Sequence, residues 1–251
     1  LDFIEEYEGR AKADYKNVDA LRVLSYNNET VQGSNPFAVV LLNQILREQG
    51  LRTATQADLE KILRFQTLNL RGTYEDAALV LRSEQGYNKY LAQNLAEQLK
   101  QRGGKTQYPA MIPLAGLDLV QDNNSEQGLA FKLRDDSQVI YAPILNKSGN
   151  FNQEDIDEKT GLPTKTGKQG SRTLYTANSG LCRLDLYRGL SLDSYWNNLA
   201  DSDSDGRVVV VTGEASSQNF SGYLTKLEEE RNRLVAEIDS KYQKALKVLK
   251  E

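Results

Sequence analysis

The sequence predicts a mixed α+β protein, because its pattern changes twice along the chain. In residues 1–110, apolar side chains recur at helical spacing, so this region is expected to be mostly helical. In residues 111–216, turn residues are frequent and the apolar spacing is nearer two, which is typical of β-strands. Residues 217–251 return to helical spacing, which predicts one long C-terminal helix.

Two helices of the first region carry end signals. The stretch 36–50 has a long apolar face and finishes on Gly50, a residue type that commonly follows a helix C-terminus. The stretch 56–65 is preceded by Thr55, whose hydroxyl can cap the helix, and Asp58 completes an approximate capping box. Both stretches are therefore predicted as helices.

Three other stretches of the first region are less well marked. Residues 73–83 are predicted as a short helix. Residues 87–103 are predicted as a longer helix, because their leucines recur every four residues and form one stripe. Residues 19–27 fit a short strand or a helical turn equally well.

The middle region begins with three candidate strands, at residues 115–122, 128–135 and 137–145. The second and third are predicted to form a hairpin across two consecutive aspartates. Residues 146–172 are rich in Gly, Lys, Asp, Thr and Asn, and this composition predicts a long exposed loop.

Strand character returns at residues 172–177 and 181–188, and the region closes on 207–212. This last stretch contains four consecutive valines. Four β-branched residues in a row are best accommodated in a strand that is covered on both faces. We therefore expect residues 207–211 to form a central buried strand.

The final segment, 219–251, has apolar residues at mostly three- and four-residue spacing, interrupted by Arg231, and Asn219 can cap its start. This pattern is typical of a coiled coil, and equally of a helix laid along the protein body. Self-association through residues 219–251 and packing on the same chain are both left open.

The missing residue types exclude several classes of enzyme and metal site. The chain has no histidine, which removes histidine acid–base catalysis, the Ser-His-Asp triad and histidine metal ligation together. Cys182 is its only cysteine, so neither an intrachain disulfide nor a cysteine-rich zinc site can form. The residues around Cys182 predict a small buried side chain and not an activated thiolate.

Composition and charge narrow the range of partners. Hydrophobic residues make up 39% and charged residues 26% of the chain, the balance of a soluble globular protein. The net charge of −4 argues against nucleic acid as the main partner, because phosphate binding requires a basic surface. No apolar run approaches the roughly 20 residues of a membrane span. No signal peptide is visible at Leu1, so a cytoplasmic location is the default expectation.

The letters D-S-D-S-D-G resemble the start of a calcium-binding EF-hand loop. Asp201, Asp203, Asp205 and Gly206 occupy its first, third, fifth and sixth positions. The twelfth position requires a bidentate glutamate and is Thr212, and the valines before it predict a strand where an EF-hand has a helix. We therefore expect a polar turn without a metal or other cofactor. A looser calcium site on the three aspartates is the alternative.

The wider segment 182–206 has a composition typical of a binding surface. Of its 25 residues, 16 are Asn, Asp, Tyr, Ser, Gly or Cys, interleaved with a sparse apolar frame. If Leu184 and Leu186 face the core, strand alternation turns Asp185 and Tyr187 outward. The predicted ligand-binding residues are Asp185, Tyr187, Gly189, Asp193, Tyr195, Trp196, Asn197 and Asn198, with Asp201, Asp203 and Asp205 at the edge.

The frame of this segment resembles a known family. It has the form G-L-x-R-L-x-L-x-R, then L-x-S, then L-A-x-S-x-x-x-G-R-V-V-V-V, and it is similar to the variable region of archaeal proteins diversified by retroelements. In such systems a reverse transcriptase copies a template with errors at adenines, and AAC or AAT codons scatter into the residue set seen here. The resemblance implies a C-type-lectin-like fold in residues 111–216. Trp196 departs from the pattern, because its codon cannot arise from AAC or AAT.

The preferred interpretation is a non-enzymatic protein that binds a protein or cell-surface ligand, with Leu199 and Ala200 anchoring the displayed loop on the core. The alternative is an enzyme of the formylglycine-generating type on the same fold, although that chemistry depends on a cysteine pair. Carboxylate chemistry by Glu154, Asp157 and Glu158 is a weaker alternative, since nothing pairs them. A purely structural coiled-coil protein would leave the polar, aromatic segment unexplained.

Overall fold

The computed structural model describes residues 2–27, 30–103, 106–212 and seven residues between 232 and 242. The chain divides into two compact units, Leu1–Val211 and Thr212–Glu251. The seven residues described beyond residue 212 are helical, and the rest of the predicted helix 219–251 lies outside the described residues. Self-association through this segment therefore stays a prediction.

The predicted α+β character is confirmed. The helices are α1 (Asp2–Tyr15), α2 (Pro36–Glu48), α3 (Gln56–Phe65) and α4 (Lys89–Gln101). The first seven strands are β1 (Ser25–Asn27), β2 (Thr30–Gln32), β3 (Leu51–Thr53), β4 (Glu75–Leu81), β5 (Ala110–Pro113), β6 (Leu117–Gln121) and β7 (Leu129–Leu133). The remaining strands are β8 (Ile140–Tyr141), β9 (Gly149–Phe151), β10 (Arg172–Thr176), β11 (Leu181–Leu186), β12 (Leu192–Ser194), β13 (Arg207–Val208) and β14 (Val210–Thr212).

Side-chain caps explain where α2 and α3 begin. The side chain of Asn35 accepts a hydrogen bond from the amide of Ala38 at 2.8 Å, before the first turn of α2. Thr55 and Asp58 form the predicted capping box of α3, each side chain accepting from the other residue's amide. The helices predicted over 36–50, 56–65 and 87–103 are confirmed as α2, α3 and α4.

The prediction of a helix over residues 73–83 is wrong, because this stretch contains strand β4. All residues of β4 are buried, and the strand lies between β5 and β11 at the centre of a sheet. Leu79 and Leu81 belong to one core cluster, and Ala78 and Val80 belong to another. A strand buried on both faces lacks the polar–apolar alternation, so its sequence also fits a helix.

The largest sheet has seven strands in the order β8-β5-β4-β11-β12-β10-β9 and curls into a half-barrel. Strands β10 and β12 run parallel, and the other neighbouring pairs run antiparallel. Smaller sheets are formed by β1-β2-β13, β6-β7 and β3-β14. Strands from the predicted regions 1–110 and 111–216 thus share one sheet and one compact unit. Residues 19–27, left open above, contain a 3-10 turn followed by β1.

Four predicted strands, at residues 115–122, 128–135, 172–177 and 181–188, are confirmed as β6, β7, β10 and β11. The predicted hairpin is wrong, because β7 pairs with β6, whereas residues 137–145 contain only the short β8, which pairs with β5. The amide of Asp122 donates to the carbonyl of Gly128 at 2.9 Å and closes the turn between β6 and β7. This turn joins the first two candidate strands. Strand β8 instead lies at the edge of the large sheet.

The stretch 146–172, predicted as an exposed loop, contributes to the core. Phe151, Ile156 and Leu162 are buried in the same cluster as the apolar residues of β10 and β12. Arg172 forms a buried ion pair with Glu60 of α3, with a nitrogen–oxygen distance of 2.7 Å. The few apolar residues in this stretch are widely spaced, so its overall composition conceals their burial.

The predicted central strand over residues 207–211 is divided between two small sheets. Strand β13 pairs with β2, and β14 pairs with β3. Val208 and Val210 pack on one core cluster, whereas Val209 and Val211 pack on the other. The stretch is therefore covered on both faces, as its valines indicate. It is nevertheless not central, and of its four valines only Val208 is buried, with 7% exposure.

Candidate ligand-binding face

The residues predicted to bind a ligand occupy three kinds of position. Two are buried, Asp185 and Asp193, with 0% and 7% exposure. Three are half-buried, namely Tyr187, Asn197 and Asp205. The others are exposed: Gly189, Tyr195, Trp196, Asn198, Asp201 and Asp203. The structure thus brings most of the predicted set to the surface and moves two members into the interior.

Tyr195 and Trp196 form an exposed aromatic pair on a fixed backbone. They are 56% and 38% exposed, and their rings meet edge to face with centroids 5.9 Å apart. The amide of Arg183 donates to the carbonyl of Trp196 at 3.1 Å, and the carboxylate of Asp193 accepts from the amide of Tyr195 at 2.9 Å. The two rings are therefore presented on a support that is ordered without a ligand.

The loop that follows the aromatic pair is anchored on the core, as its sequence predicts. Leu199 is 3% exposed and belongs to a core cluster, against which Ala200 also packs. The side-chain amide of Asn35 donates to the carbonyl of Ala200 and to that of Ala20, both at 2.9 Å. This anchor limits the conformational freedom that a bound ligand would have to remove.

The prediction that Asp185 faces outward is wrong, because its side chain is fully buried. Leu184 and Leu186 do pack in the core, but the opposite face of β11 is covered as well. On that face Arg183 lies beside Asp185, and its guanidinium donates to the carbonyl of Asp201 at 3.0 Å. Strand alternation determines which face a side chain occupies, but not what covers that face.

Asp185 belongs to a buried group of carboxylates. Strand register places Asp76 of β4 on one side of it and Asp193 of β12 on the other. The Nε atom of Arg183 lies 3.5 Å from Asp76 Oδ1 and 3.7 Å from Asp185 Oδ1. Asp76 also accepts a hydrogen bond from the hydroxyl of Ser34 at 2.6 Å. Within the described part of the chain, neither oxygen of Asp185 has a hydrogen-bond partner.

Burial governs the ionisation of this group. It raises the pKa of Asp185 well above the usual range, and the neighbouring Asp76 raises it further, against the attraction of Arg183. Burial also raises the pKa of Asp76, with Arg183 opposing it. At Asp193 burial outweighs the hydrogen bonds that favour ionisation, and its pKa is raised too. This group therefore retains protons more readily than exposed aspartates do.

The loop 201–206 is fastened to the scaffold by its backbone. The amide of Asp203 donates to the hydroxyl of Tyr74 at 3.0 Å, and that hydroxyl donates to the carbonyl of Ser34 at 2.9 Å. A Cβ atom at Gly206 would lie only 2.7 Å from the Ser34 nitrogen, so glycine permits this close approach.

Two acidic side chains of the same loop form ion pairs with an arginine. Arg188 pairs with Asp203 at 3.3 Å and donates to Asp205 at 2.8 Å. These ion pairs involve two of the three aspartates of the loop. In the portion of the chain that is described, no group of three His, Cys, Asp or Glu side chains is arranged to hold a metal ion. The polar turn that the sequence predicts is thus built from ion pairs and backbone hydrogen bonds.

A cavity of about 490 Å³ opens beside Asn197 and Asn198. Its walls come from the start of α4, from the β6–β7 turn and from the segment 197–200. Lining residues outside the predicted set include Tyr87, Asn88, Lys89, Tyr90, Glu126 and Gln127. The candidate face is therefore not flat, because two of its residues, Asn197 and Asn198, line a pocket.

Sequence reasoning missed this cavity, since its walls are distant in the chain and meet only in the fold. Asn88, with φ of 52°, links two of them: its side-chain amide donates to the carbonyl of Leu181 at 2.8 Å and to that of Asn197 at 2.6 Å. A local signal exists in Tyr87 and Tyr90, two exposed aromatics at the start of a helix that does not need them for its core.

Three of the side chains considered for catalysis lie in the core, in a turn or in a surface ion pair. Cys182 is fully buried, and burial raises its pKa to about 11, so its thiol stays protonated near neutral pH. The carboxylate of Asp157 accepts from the amide and the hydroxyl of Thr160, both at 2.9 Å, and shapes a turn. Glu158 forms an ion pair with Arg64.

Comparisons with protein-family models, with curated proteins and with solved structures found no match to the chain. None of the helices in the described residues combines the length and the apolar character that crossing a membrane requires. A function for the chain therefore rests on the arrangement of its side chains.

Proposed function

We propose that this chain is a non-enzymatic ligand-binding protein with a C-type-lectin-like fold, whose exposed face is varied by a retroelement through adenine-directed mutagenesis. The observation that carries the proposal is the aromatic pair Tyr195 and Trp196, exposed on a backbone that is hydrogen-bonded to the scaffold. Exposed aromatic side chains on ordered support are frequent hot spots of protein interfaces. The ligand is accordingly a protein or a cell-surface molecule.

Such a mechanism requires that the frame residues, which maintain the fold, differ from the surface residues that vary. The frame side chains Leu184, Leu186, Leu192 and Leu199 are buried. The proposed contact surface consists of Tyr187, Gly189, Tyr195, Trp196, Asn197 and Asn198, with Asp201, Asp203 and Asp205 at its edge. Asp185 and Asp193 are left out because they are buried. Substitutions at exposed positions change stability little, so this surface can vary while the scaffold persists.

The DNA around the coding sequence provides the test. We expect a reverse-transcriptase gene and a near-copy of codons 182–206 that differs from them only at adenines. Sequencing the locus in several isolates should show substitutions concentrated at the codons of the contact surface other than Trp196, whose codon departs from the AAC or AAT pattern, and absent from those of Leu184, Leu186 and Leu199. Substitutions spread evenly along the gene, or the absence of any near-copy, would remove the proposal.

A further inference from the structure

The cavity beside Asn197 and Asn198 has a wall built from residues outside the segment 182–206. Tyr87 and Tyr90 belong to this wall and are 46% and 39% exposed. The cavity volume of about 490 Å³ lies within the range of pockets that take small ligands, roughly 300–1,000 Å³. Its size therefore suits a single inserted group better than an extended surface.

We infer that this pocket receives the side chain of a tyrosine or a tryptophan from a protein ligand. Both are uncharged aromatic side chains with a polar edge. The inference rests on the proposed function, which supplies the ligand. It adds a site whose walls are mostly constant, and it names Tyr87 and Tyr90 as binding residues that diversification of residues 182–206 would not alter.

The lining of the pocket matches a ring with a polar edge. Its apolar floor consists of Phe37, Leu91 and Leu199, which are 1%, 8% and 3% exposed. Around this floor stand the side-chain amides of Gln127, Asn197 and Asn198, a group type with both donors and acceptors. The side-chain NH2 of Asn88 is already used within the wall, and the Oδ1 of Asn198 accepts from the amide of Ala200 at 3.2 Å. The body of an aromatic side chain can cover the floor while its hydroxyl or ring N–H reaches an amide.

The charges of the pocket favour a neutral occupant. The charged residues of its lining are Lys89 and Glu126, one of each sign. Neither side chain has a hydrogen-bond or ion-pair partner within the described part of the chain. Because the two charges offset one another, the pocket has no strong attraction for a phosphate, a carboxylate or an ammonium group.

The walls are held in place before any ligand arrives. Asn88 bonds the start of α4 to the carbonyls of Leu181 and Asn197. The hydroxyl of Tyr90 donates to Asp122 at 2.6 Å and ties the same helix to the β6–β7 turn. A site that is ordered in advance loses less conformational freedom on binding, which favours affinity.

The pocket lies close along the chain to the aromatic pair, so we expect its occupant to belong to the same ligand. Asn197 lines the pocket and directly follows Trp196 in the chain. A protein ligand that contacts Trp196 is therefore expected to reach the pocket as well. In this arrangement Tyr87 and Tyr90 supply a constant contribution to affinity, and residues 197 and 198 adjust it.

Titrations of the full chain with small probes, followed by nuclear magnetic resonance, test the inference. The probes are N-acetyl-L-tyrosinamide, N-acetyl-L-tryptophanamide, N-acetyl-L-leucinamide, N-acetyl-L-lysinamide and methyl glucoside. We expect saturable binding of the two aromatic amides with a Kd on the order of 1 mM, as for a small fragment. The other probes should bind roughly tenfold more weakly, because none of them has an aromatic ring. In addition, the leucine probe has no polar edge on its side chain and the lysine probe carries a charge.

Variants of the residues that line the pocket test whether the probes bind there. Tyr87→Ala combined with Tyr90→Ala should weaken the aromatic probes about fivefold or more, and Gln127→Ala should weaken them without removing a ring. Tyr141→Ala is the matched control, since Tyr141 is 53% exposed and lies outside the pocket lining. Melting temperatures of all variants establish that they are folded.

Three results would overturn the inference: no saturable binding by either aromatic probe, binding that the double variant leaves unchanged, or a preference for methyl glucoside, which would indicate a carbohydrate ligand. Each of these results is independent of the test on the surrounding DNA. If the locus is diversified but the pocket binds neither aromatic probe, only the inference about the pocket is refuted. A binding pocket without a diversified locus would refute the proposed origin of the variable face.

Discussion

Asp185 combines complete burial with a shared counter-charge. Arg183 faces both Asp185 and Asp76, and neither oxygen of Asp185 has a hydrogen-bond partner among the described residues. Desolvation therefore raises the pKa of Asp185 above its value in the unfolded chain. A group of this kind contributes stability that is fully present below the unfolded pKa and is lost as the pH rises through the folded pKa. Asp185 should thus make the fold less stable as the pH rises above about 4.

Replacing Asp185 with asparagine keeps the shape of the side chain and removes its ionisation. We expect little change in the free energy of unfolding near about pH 4 and a gain of about 1–3 kcal/mol near about pH 8, the scale of a buried unsatisfied polar group. Urea unfolding at several pH values measures this difference. Asp203→Asn, at an exposed position, is the control. An Asp185→Asn variant that is less stable than the parent at the higher pH would show that Arg183 stabilises an ionised Asp185.

Gly206 and Gly189 allow a matched comparison within one segment. A Cβ atom at Gly206 would lie 2.7 Å from the nitrogen of Ser34 and 2.8 Å from the hydroxyl of Tyr74, whereas at Gly189 it would meet nothing within 4 Å. We expect Gly206→Ala to lower the free energy of unfolding by about 1–3 kcal/mol. Gly189→Ala should change it by less than about 0.5 kcal/mol. Calorimetry of the two variants decides, and equal melting temperatures would mean that loop 201–206 adjusts freely.

Helix α3 shows the opposite dependence on pH at the scale of an element. Its capping box joins Thr55 and Asp58, and Asp58 also forms an ion pair with Arg52. Burial opposes the ionisation of Asp58, but the hydrogen bonds from Arg52 and Thr55 outweigh it and lower the pKa. A group with a lowered pKa contributes stability above its unfolded pKa, and this contribution is lost as the pH falls through the folded value.

Asp58→Ala should therefore lower the free energy of unfolding by about 1–2 kcal/mol near neutral pH, through loss of the cap and of the pair with Arg52. The difference from the parent should shrink as the pH falls below about 4, because the parent then loses the same interaction. Chemical unfolding across this range measures the effect. A difference that stays constant with pH would mean that the loss is one of packing and not of charge.

The elements differ in how far local sequence determines them. Helices α2 and α3 were predictable because their apolar spacing and their end signals agree, and α4 because its leucines form one stripe. Strand β4 is buried on both faces, and its sequence fits two structures. The candidate site divides in the same way. The anchor at Leu199 follows from an isolated apolar residue in a polar loop. The burial of Asp185 and the pocket beside Asn197 depend on segments far away in the chain, and no local pattern contains them.

At the scale of the whole molecule, the residues that stabilise the fold differ from those exposed on the proposed contact surface. Residues of the seven-stranded sheet contribute to two apolar clusters, and Leu184, Leu186 and Leu192 of β11 and β12 lie in one of them. The aromatic pair lies outside both clusters and is fixed by backbone hydrogen bonds. A molecule arranged in this way can exchange the side chains of its face while its core stays intact.

This separation predicts the behaviour of a variant in which Tyr187, Tyr195, Trp196 and Asn198 are all replaced by serine. None of the four side chains is buried, so the melting temperature should stay within about 3 °C of the parent, while binding of the ligand is lost. Leu199→Ala, in the same loop but at a buried anchor, should instead cost about 2–4 kcal/mol of unfolding free energy. Calorimetry of both variants makes the comparison. If the fourfold variant melts as early as Leu199→Ala, its side chains support the core, and the contact surface must lie elsewhere on the protein.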